Sequence, residues 1–185
     1  MSIRVKVSAR KSEDGAARAA AKRAVAALLG VGVDRVVLVP RRAGPPSPWV
    51  RDGAGRSHRA KAAVSLSHRD GRAIAAASRS SIAIGVDLEP AETMDPAHAR
   101  YFLSPRERAD ASAPSLVTRW VIKEAAWKAL RCARDTPLAA LELIFDSAGE
   151  LCATALRGVR RPARARLLEP WPGYIAAVVA MRSGT

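Results

Sequence analysis

The sequence predicts an α+β fold in which short antiparallel strands pack against a small number of helices. Apolar and basic residues alternate along Ile3–Ser8, a pattern typical of a half-buried strand. Three apolar runs after residue 62 are separated by turn-forming residues, as in an antiparallel meander. An alanine-rich segment before these runs and a longer segment after them have helical character. Strands and helices are therefore both expected to contribute to the core.

The N-terminal third is predicted to hold one helix between two strands. The strand over Ile3–Ser8 is followed by a helix over Ala16–Leu29, which Gly30 ends. A second strand is predicted over Arg35–Val39. Proline and glycine cluster in Ala43–Gly55, so this segment is predicted to be a loop.

The rest of the chain is predicted to alternate strands with one long helical region. The meander strands are Ala63–Ser67, Ala73–Ser78 and Ile82–Leu88. Pro90–Leu130 is predicted to be mostly helical, with a helix start at Ser104, where Pro105 and Glu107 follow at the positions that favour a cap. A hairpin and two final strands are predicted at Ala139–Phe145, Leu151–Leu156, Arg164–Glu169 and Tyr174–Met181.

Composition indicates a globular chain without a membrane span. The 185 residues are 49% hydrophobic and 26% charged. The longest charge-free apolar stretches fall well short of the about 20 residues that a bilayer requires, and the N-terminus has no apolar signal region. Cys132 and Cys152 are not spaced as a metal or redox pair. We therefore expect a cytoplasmic protein.

The net charge of +14, from 31 basic and 17 acidic residues, favours a polyanionic partner. Nucleic acid, anionic lipid, a phosphate-rich cofactor or an acidic protein would each fit. A GC-rich genome also enriches arginine and alanine, so the total charge does not choose among them. Nucleic-acid binding lacks the usual motifs, and only 4% of the residues are aromatic.

Two carboxylates lie two residues apart at the end of a predicted strand. Asp87 and Glu89 project from the same face, while Val86 and Leu88 point into the core. Neighbouring carboxylates repel each other unless water or a cation compensates their charge. Oxygen ligands of this kind suit Mg²⁺. The alternative is a solvated strand end before Pro90.

Helical spacing places three functional side chains on one face of a predicted helix. Trp120, Glu124 and Lys128 follow at intervals of four residues. A glutamate four residues before a lysine is also a common surface pair. The flanking tryptophans favour a helix anchored in the core, with the pair over a cleft.

A serine and a histidine, Ser67 and His68, end a predicted strand close to Arg69 and Arg72. A histidine beside cations and a hydroxyl suits a phosphate group as a hydrogen-bond donor. A structural or surface histidine is the alternative.

Four segments in a fixed order resemble a known enzyme family. They are Ser67-His68, Gly85-Val86-Asp87-Leu88-Glu89, the run Tyr101 to Glu107, and the run Trp120 to Lys128 with Lys123-Glu124-Ala125 inside it. In this order they resemble the 4′-phosphopantetheinyl transferases, most closely the surfactin-synthetase-activating type, in which one chain contains two similar halves. The resemblance is specific over about residues 56–130 and looser elsewhere.

The resemblance implies an architecture of two pseudo-symmetric halves, residues 1–84 and 85–185. Each half would pack a helix on a small antiparallel sheet, with coenzyme A in the cleft between them. The first half would hold the phosphoadenosine side of coenzyme A, and the second half the metal and the catalytic residues. A monomer is implied, because the second half supplies what a second subunit would otherwise bring.

The resemblance also implies the reaction and its residues. Such enzymes move the phosphopantetheine arm of coenzyme A onto a serine of an apo carrier protein and release 3′,5′-ADP. Asp87, Glu89 and Glu124 would be Mg²⁺ ligands. Glu124, or a water, would accept the serine proton, and Lys128 would hold a phosphate oxygen.

Coenzyme A would be bound by residues of the first half together with Lys128. His68, which we also count among the catalytic residues, would donate to the 3′-phosphate beside Ser67. Arg18 matches a phosphate-binding arginine, although Lys22 or Arg23 could take that role. Arg56 is a further candidate. Two departures from the family pattern are Gly55-Arg56-Ser57, where a Gly-Lys-Pro-like segment is usual, and Arg69-Asp70, where small residues are usual.

The implied partners are coenzyme A and an acidic apo carrier protein, with no membrane and no nucleic acid. Contacts with the carrier are expected on a helix over Tyr101–Ser112 and the loop Ala111–Ser115. The alternatives are a coenzyme A-binding relative without transferase activity and a basic nucleic-acid-binding domain.

Overall fold

The computed structural model describes residues 2–9, 13–42, 44–110 and 114–182. Within these ranges the chain forms eleven strands and four α-helices. In chain order they are β1 (Ile3–Ala9), α1 (Glu13–Leu29), β2 (Val36–Val39), β3 (Ser47–Arg51), β4 (Ser57–Arg59), β5 (Ala62–Arg69), β6 (Arg72–Arg79), β7 (Ile82–Pro90), α2 (Ala99–Phe102), α3 (Pro105–Ala109), α4 (Leu116–Leu130), β8 (Leu141–Phe145), β9 (Leu151–Leu156), β10 (Val159–Leu168) and β11 (Tyr174–Arg182). The predicted α+β class is confirmed.

The strands form three antiparallel sheets. The first sheet has the order β1-β6-β5, the small sheet β2-β3-β4 and the large sheet β7-β11-β10-β9-β8. The predicted turns at Asp70-Gly71 and Ser80-Ser81 join β5, β6 and β7. Both turns lie where short polar segments interrupt apolar runs, which is why they could be predicted.

Each long helix covers one sheet. Ala20, Ala21 and Ala24 of α1 are completely buried against the first sheet, and Val121 and Ala125 of α4 are completely buried against the large sheet. The other face of the first sheet meets the large sheet through an apolar layer that contains Ile74, Ala76, Val86, Leu88 and Val178. β7 is therefore covered on both faces. None of the helices in the described ranges is long and apolar enough to span a bilayer.

The segment predicted as a loop over Ala43–Gly55 contains a strand, and this prediction was wrong for Ser47–Arg51. β3 pairs with β2 and β4 although it includes Pro48. The Pro48 carbonyl accepts a hydrogen bond from the amide of Ala60 at 2.9 Å. Because the amide nitrogen of Pro48 faces the same side, beyond the last β3–β4 pair, the missing N–H interrupts no ladder.

The helical region before Leu130 consists of two short helices, α2 and α3, followed by the long helix α4, and capping residues begin α3 and α4. Ser104 caps α3 as predicted, and its hydroxyl and the Glu107 carboxylate form a reciprocal capping box. Ser115 caps α4 by accepting from the amide of Thr118. The final strands also differ from the prediction, since β10 already begins at Val159, directly after a two-residue turn.

A buried ion pair fixes α4 to α3 and to the large sheet. The Lys123 ammonium has no exposed surface and lies 2.5 Å from Glu107 Oε2. Glu107 also accepts from the amides of Ser104 and Leu143. Burial lowers the pKa of Lys123, while the hydrogen bond to Glu107 raises it. The pair therefore ties together three elements around the helix that carries Glu124.

We expect Lys123→Met to lower the free energy of unfolding by about 3 kcal/mol, because it leaves a buried carboxylate without its cation. Urea denaturation followed by circular dichroism measures this loss. The exposed Lys61→Met serves as the control and should change stability by no more than about 0.5 kcal/mol. Adding Glu107→Gln to Lys123→Met should restore part of the loss. A double variant less stable than Lys123→Met would contradict this explanation.

Candidate active site

The candidate site lies where the C-terminal part of β7 passes under α4. Gly85 allows this close approach, because a Cβ atom at that position would overlap the carbonyl oxygen of Ala125 and lie 2.7 Å from the amide nitrogen of Ala129. Two residues further along β7, the side chain of Asp87 is on the same face and reaches α4. The helix and the strand therefore bring Asp87, Glu89, Glu124 and Lys128 into one region.

Asp87 is the most buried of these groups, with 3% of its surface exposed. Its Oδ1 atom accepts hydrogen bonds from Ser67 Oγ at 2.9 Å and from Lys128 Nζ at 2.6 Å. Its Oδ2 atom is buried and has no hydrogen-bond partner among the described residues. Most buried polar atoms are hydrogen-bonded, so this oxygen is available for a ligand.

Lys128 contacts both the first sheet and the large sheet at the free edge of β7. Besides Asp87, its ammonium group contacts Ser67 Oγ and the carbonyl oxygen of Val86, each at 3.3 Å. The amide of Val86 donates to Ser65 Oγ at 3.1 Å. Side chains thus satisfy the N–H and C=O of Val86, which face the free edge of β7, on the side away from its paired neighbour β11.

Glu89 lies at the end of β7 and is half-buried. Its carboxylate accepts a hydrogen bond from the indole of Trp120 at 3.4 Å and lies 3.8 Å from Arg69 Nε. Burial raises the pKa of Glu89, and the negative charge of Asp87 raises it further, against the effect of Arg69. Sequence analysis identified Trp120 as an anchor but missed its bond to this carboxylate and the contact with Arg69.

Glu124 faces the same carboxylates from α4. Within the described part of the chain its side chain makes no hydrogen bond or ion pair. Burial raises the pKa of Glu124, and the charge of Asp87 adds to this effect. Glu89 raises it as well, whereas Lys128 lowers it. The three carboxylates therefore share one electrostatic environment, with Lys128 as a nearby cation.

The three carboxylates offer oxygen donors of the kind that a divalent metal ion binds. In residues 2–9, 13–42, 44–110 and 114–182, no three histidine, cysteine, aspartate or glutamate side chains are arranged to hold a metal as they stand. Mg²⁺ commonly binds one or two protein carboxylates and takes its other ligands from water and phosphate. The buried, unpartnered Oδ2 of Asp87 is an oxygen donor of the required type. The donor set therefore fits Mg²⁺ together with a phosphorylated ligand.

Of the other predicted site residues, Ser67 contacts a carboxylate, that of Asp87, whereas His68 lies on the opposite face of the first sheet. Ser67 and His68 are adjacent on β5, so they point to opposite faces of the first sheet. Ser67 contacts Asp87, whereas His68 is exposed and lies on the α1 side, in line with Leu66, which packs against Ala16. The prediction that both contact the same end of a ligand remains untested.

The two arginines predicted to bind coenzyme A, Arg18 and Arg56, contact other groups of the protein in the structure. Arg18 donates to the carbonyl oxygen of Leu38 at 3.1 Å, and Arg56 is paired with Asp52 at 3.2 Å in the turn between β3 and β4. Of the predicted carrier-contact region, Tyr101 is 64% exposed. Residues 111–113 of that region lie outside the described residues.

The two serines of β5, Ser65 and Ser67, are a sequence pattern from which the contact between β5 and β7 could have been predicted. Ser65 and Ser67 alternate with Val64 and Leu66, so a polar group recurs on one face of an otherwise buried strand. Such a pattern indicates that the face meets polar groups, which here are the edge of β7 and Asp87.

A comparison with protein families identifies the family of this chain. The family model described as the 4′-phosphopantetheinyl transferase superfamily matches residues 83–179, which is just over half of the chain. The chain belongs to the 4′-phosphopantetheinyl transferase superfamily. A comparison with curated proteins gave no match.

The superfamily match covers the elements that carry the carboxylates. It begins in β7 and ends in β11, so it includes Asp87, Glu89, Glu124 and Lys128. It does not include β5 or α1. Membership supports phosphopantetheine transfer as the general activity and confirms the predicted superfamily, while the two-half subtype remains a prediction.

We expect Glu124→Gln to raise the midpoint of thermal unfolding at neutral pH. The pKa of Glu124 in the folded protein is raised above its ordinary value of 4.5, so its stabilising contribution is complete below that value and is lost as the pH rises through the folded-state pKa. The glutamine variant avoids that loss. Its advantage should therefore shrink towards pH 4.

Thermal unfolding between pH 4 and pH 8 measures this difference. The exposed Glu92→Gln is the matched control and should show no comparable gain at neutral pH. Equal unfolding midpoints of wild type and Glu124→Gln across the range would show that folding does not raise the pKa of Glu124.

Proposed function

We propose that this protein transfers the 4′-phosphopantetheine arm of coenzyme A to a serine hydroxyl of an apo acyl or peptidyl carrier protein, with Mg²⁺, and releases 3′,5′-ADP. The observation that carries the proposal is the buried, unpartnered Oδ2 of Asp87 beside two further carboxylates. Membership of the superfamily supports the class of reaction.

The metal ligands in this proposal are Asp87, Glu89 and Glu124. When bound there, Mg²⁺ would neutralise charge on the pyrophosphate of coenzyme A and polarise it. Lys128 lies beside Asp87 and has 27% of its side chain exposed, so its ammonium can also reach a phosphate oxygen. Ser67 positions Asp87 by donating to Oδ1.

Glu124 is the proposed general base. Its raised pKa and its lack of hydrogen-bond partners among the described residues leave its carboxylate able to take a proton. The serine oxygen of the carrier forms a bond to phosphorus as its proton moves to Glu124, directly or through a water. The bond from that phosphorus to the 3′,5′-ADP oxygen breaks.

The coenzyme A nucleotide is proposed to bind on the first-sheet side of the site. His68 would donate to the 3′-phosphate, with Arg18 and Arg56 as further cations. Ser67 would contribute through its position between Asp87 and Lys128. An excess of basic residues would attract both coenzyme A and an acidic carrier, and would make their association salt-sensitive.

Two pseudo-symmetric halves are proposed to form this site within a monomer. The orders β1-β6-β5 and β7-β11-β10 support this, because in each the first strand pairs with the last strand of its half. One long helix covers each group. The proposed division at residues 84 and 85 falls within β7, the strand that contacts both groups.

The experiment that tests the proposal measures the mass of a carrier protein. Apo carriers from fatty acid, polyketide and peptide synthesis are each incubated with the protein, coenzyme A and Mg²⁺. We expect a mass gain of one phosphopantetheine group on at least one carrier, which stops when a chelator removes Mg²⁺. Coenzyme A binding without transfer to any carrier would instead support a non-catalytic relative and contradict the proposal.

A further inference from the structure

A groove runs along the free edge of β1, at the opposite edge of the first sheet from the candidate active site. The first sheet has the order β1-β6-β5, so β5, which carries Ser67, is at one edge and β1 is at the other. β10 and β11 of the large sheet form the rest of the groove, which has a volume of about 690 Å³. We call this space the β1 groove. None of the residues that line it belongs to the proposed metal, catalytic or coenzyme A sites.

The β5–β6 hairpin determines which backbone groups of β6 face β1. Its turn consists of Asp70 and Gly71, both with positive φ, so Arg69 and Arg72 form the hydrogen-bonded pair that closes the hairpin. The N–H and C=O of Arg72 therefore point to β5. Because this direction alternates along a strand, the N–H and C=O of Ala73 point to β1.

The same alternation leaves every second residue of β1 with its backbone groups at the free edge. Ala73 lies opposite Ser8, so Ser8 and every second residue before it bond to β6. The N–H and C=O groups of Val5 and Val7 point the other way, into the β1 groove. In agreement, the Val7 carbonyl accepts a hydrogen bond from the guanidinium group of Arg23 at 2.6 Å. A carbonyl oxygen can accept two hydrogen bonds, so this contact leaves the edge open for pairing.

The floor of the β1 groove combines an apolar strip with two cations. Leu168 of β10 packs against the apolar layer between the sheets. Arg164 and Arg166 are spaced by two residues on the same strand, so their side chains are on the same face as Leu168. They lie opposite Ala180 and Val178 of β11. Both arginines are exposed, and within the described part of the chain they make no hydrogen bond or ion pair.

The charges around the β1 groove are mostly positive. Arg4, Lys6, Arg164 and Arg166 line it, and Glu169 is the only acidic residue among the described residues that do so. A second copy of β1 would place these cations close to one another, which disfavours pairing between two copies of the chain. A strand that carries carboxylates would instead meet opposite charge.

We propose that the β1 groove binds an extended acidic segment of a partner protein, which adds to β1 as a fourth strand of the first sheet. Backbone hydrogen bonds to the free edge would provide affinity, and alternate side chains would provide specificity. Carboxylates two residues apart in such a segment are about 7 Å from each other, which matches the spacing of Arg164 and Arg166 on β10. The inference goes beyond the proposed transfer reaction, because the segment is not a substrate and contacts no residue of the candidate active site.

The orientation of the added strand determines which of its residues bond to β1. All the strand pairs in the described ranges are antiparallel, and we expect the same here. A residue opposite Val5 then exchanges both backbone hydrogen bonds with it and has its side chain on the same face. Val5 packs against the apolar layer between the sheets, so this face is the one that meets Arg164 and Arg166. The residues that bond to β1 are therefore those that carry the carboxylates.

The test measures binding of a fluorescent peptide of about ten residues in which glutamate and threonine alternate. The full chain is used, without coenzyme A, Mg²⁺ or a carrier protein, so the result does not depend on transfer activity. Methylation of the glutamate amide nitrogens should weaken binding about tenfold or more, because it removes the hydrogen bonds to β1. Methylation of the threonine amide nitrogens, which point away from β1, should change binding by less than about threefold. Failure of the unmodified peptide to bind, or equal losses on both methylations, would overturn the inference.

Charge reversals on β10 distinguish the β1 groove from the overall positive charge of the protein. Arg164→Glu and Arg166→Glu should each weaken peptide binding about fivefold or more, because each replaces an attraction with a repulsion. Arg160→Glu makes the same change on the same strand outside the groove, and should alter the affinity by less than about twofold. All three arginines are exposed, so the variants should keep the unfolding midpoint of wild type. An equal loss in Arg160→Glu would contradict the proposal.

Amide hydrogen exchange followed by NMR locates the bound peptide. In the free protein the amides of Val5 and Val7 should exchange faster than that of Lys6, which bonds to β6. The peptide should slow exchange at Val5 and Val7 about tenfold or more. Unchanged exchange at these two amides would overturn the inference. So would their protection in a dimer of the free protein, which would assign the edge to a second copy, or displacement of the peptide by single-stranded RNA together with equal binding of the two methylated peptides.

Discussion

Gly85→Ala is expected to destabilise the protein by about 4 kcal/mol or more, the largest stability effect that the structure indicates. The added methyl group would overlap the carbonyl oxygen of Ala125 and lie 2.7 Å from the amide nitrogen of Ala129. Both are backbone atoms of α4, so no side-chain rotation can relieve the overlap. The helix must move away from β7 or the chain must unfold.

Urea denaturation followed by circular dichroism measures this loss. Gly53→Ala is the control, because a Cβ at Gly53 meets no atom of the described part of the chain within 4 Å. Its effect should stay within about 0.5 kcal/mol. If Gly85→Ala folds and loses less than about 1 kcal/mol, α4 does not pack on β7 as closely as the structure describes.

The close packing of α4 on β7 also sets the positions of Glu124 and Lys128 relative to Asp87. Glu124 precedes Ala125, so a shift of α4 at Ala125 moves Glu124 relative to Asp87. Lys128 is one turn further along and would lose its contact with Asp87. A partly folded Gly85→Ala variant should therefore lose transfer activity along with stability.

The elements that could be predicted from the sequence are those with a local periodic signal. The apolar run Ile82–Leu88, set off by turn-forming residues, predicted β7. The two-residue period of a strand predicted the common face of Asp87 and Glu89. Helical spacing predicted that Trp120, Glu124 and Lys128 share a face. In the structure Trp120 contacts Glu89 and Lys128 contacts Asp87, so the predicted face is the one that meets β7.

What could not be predicted depends on contacts between distant segments. The prolines around Ser47–Arg51 indicate a loop, so the sequence does not predict a strand there. Pro48 is tolerated in β3 because it lies beyond the last β3–β4 pair. Ser67 was expected beside His68 on a ligand, but its hydroxyl donates to Asp87, twenty residues away. Local patterns place a residue on a face of a strand, and tertiary packing decides what that face meets.

Asp87→Asn is expected to lower the rate of transfer to a carrier protein by about 10³-fold. The amide has nearly the shape of the carboxylate and can still accept from Ser67, so the fold should persist. The substitution removes the negative charge beside Lys128 and the buried oxygen that has no partner in the structure. A loss of this size corresponds to about 4 kcal/mol in the free energy of activation.

The rate of holo-carrier formation, followed by mass spectrometry over a range of Mg²⁺ concentrations, measures the effect. The exposed Glu92→Gln removes one carboxylate charge close to the end of β7 and is the matched control, with a rate expected within about twofold of wild type. Glu124→Gln should lose about 10²-fold or more, because it removes the proposed base. Raised Mg²⁺ should restore part of the activity of Glu124→Gln and little of Asp87→Asn, because Asp87 is the one proposed metal ligand with a buried oxygen that lacks a partner among the described residues. Transfer by Asp87→Asn at more than a tenth of the wild-type rate would show that the carboxylate at the centre of the site is not required for the reaction.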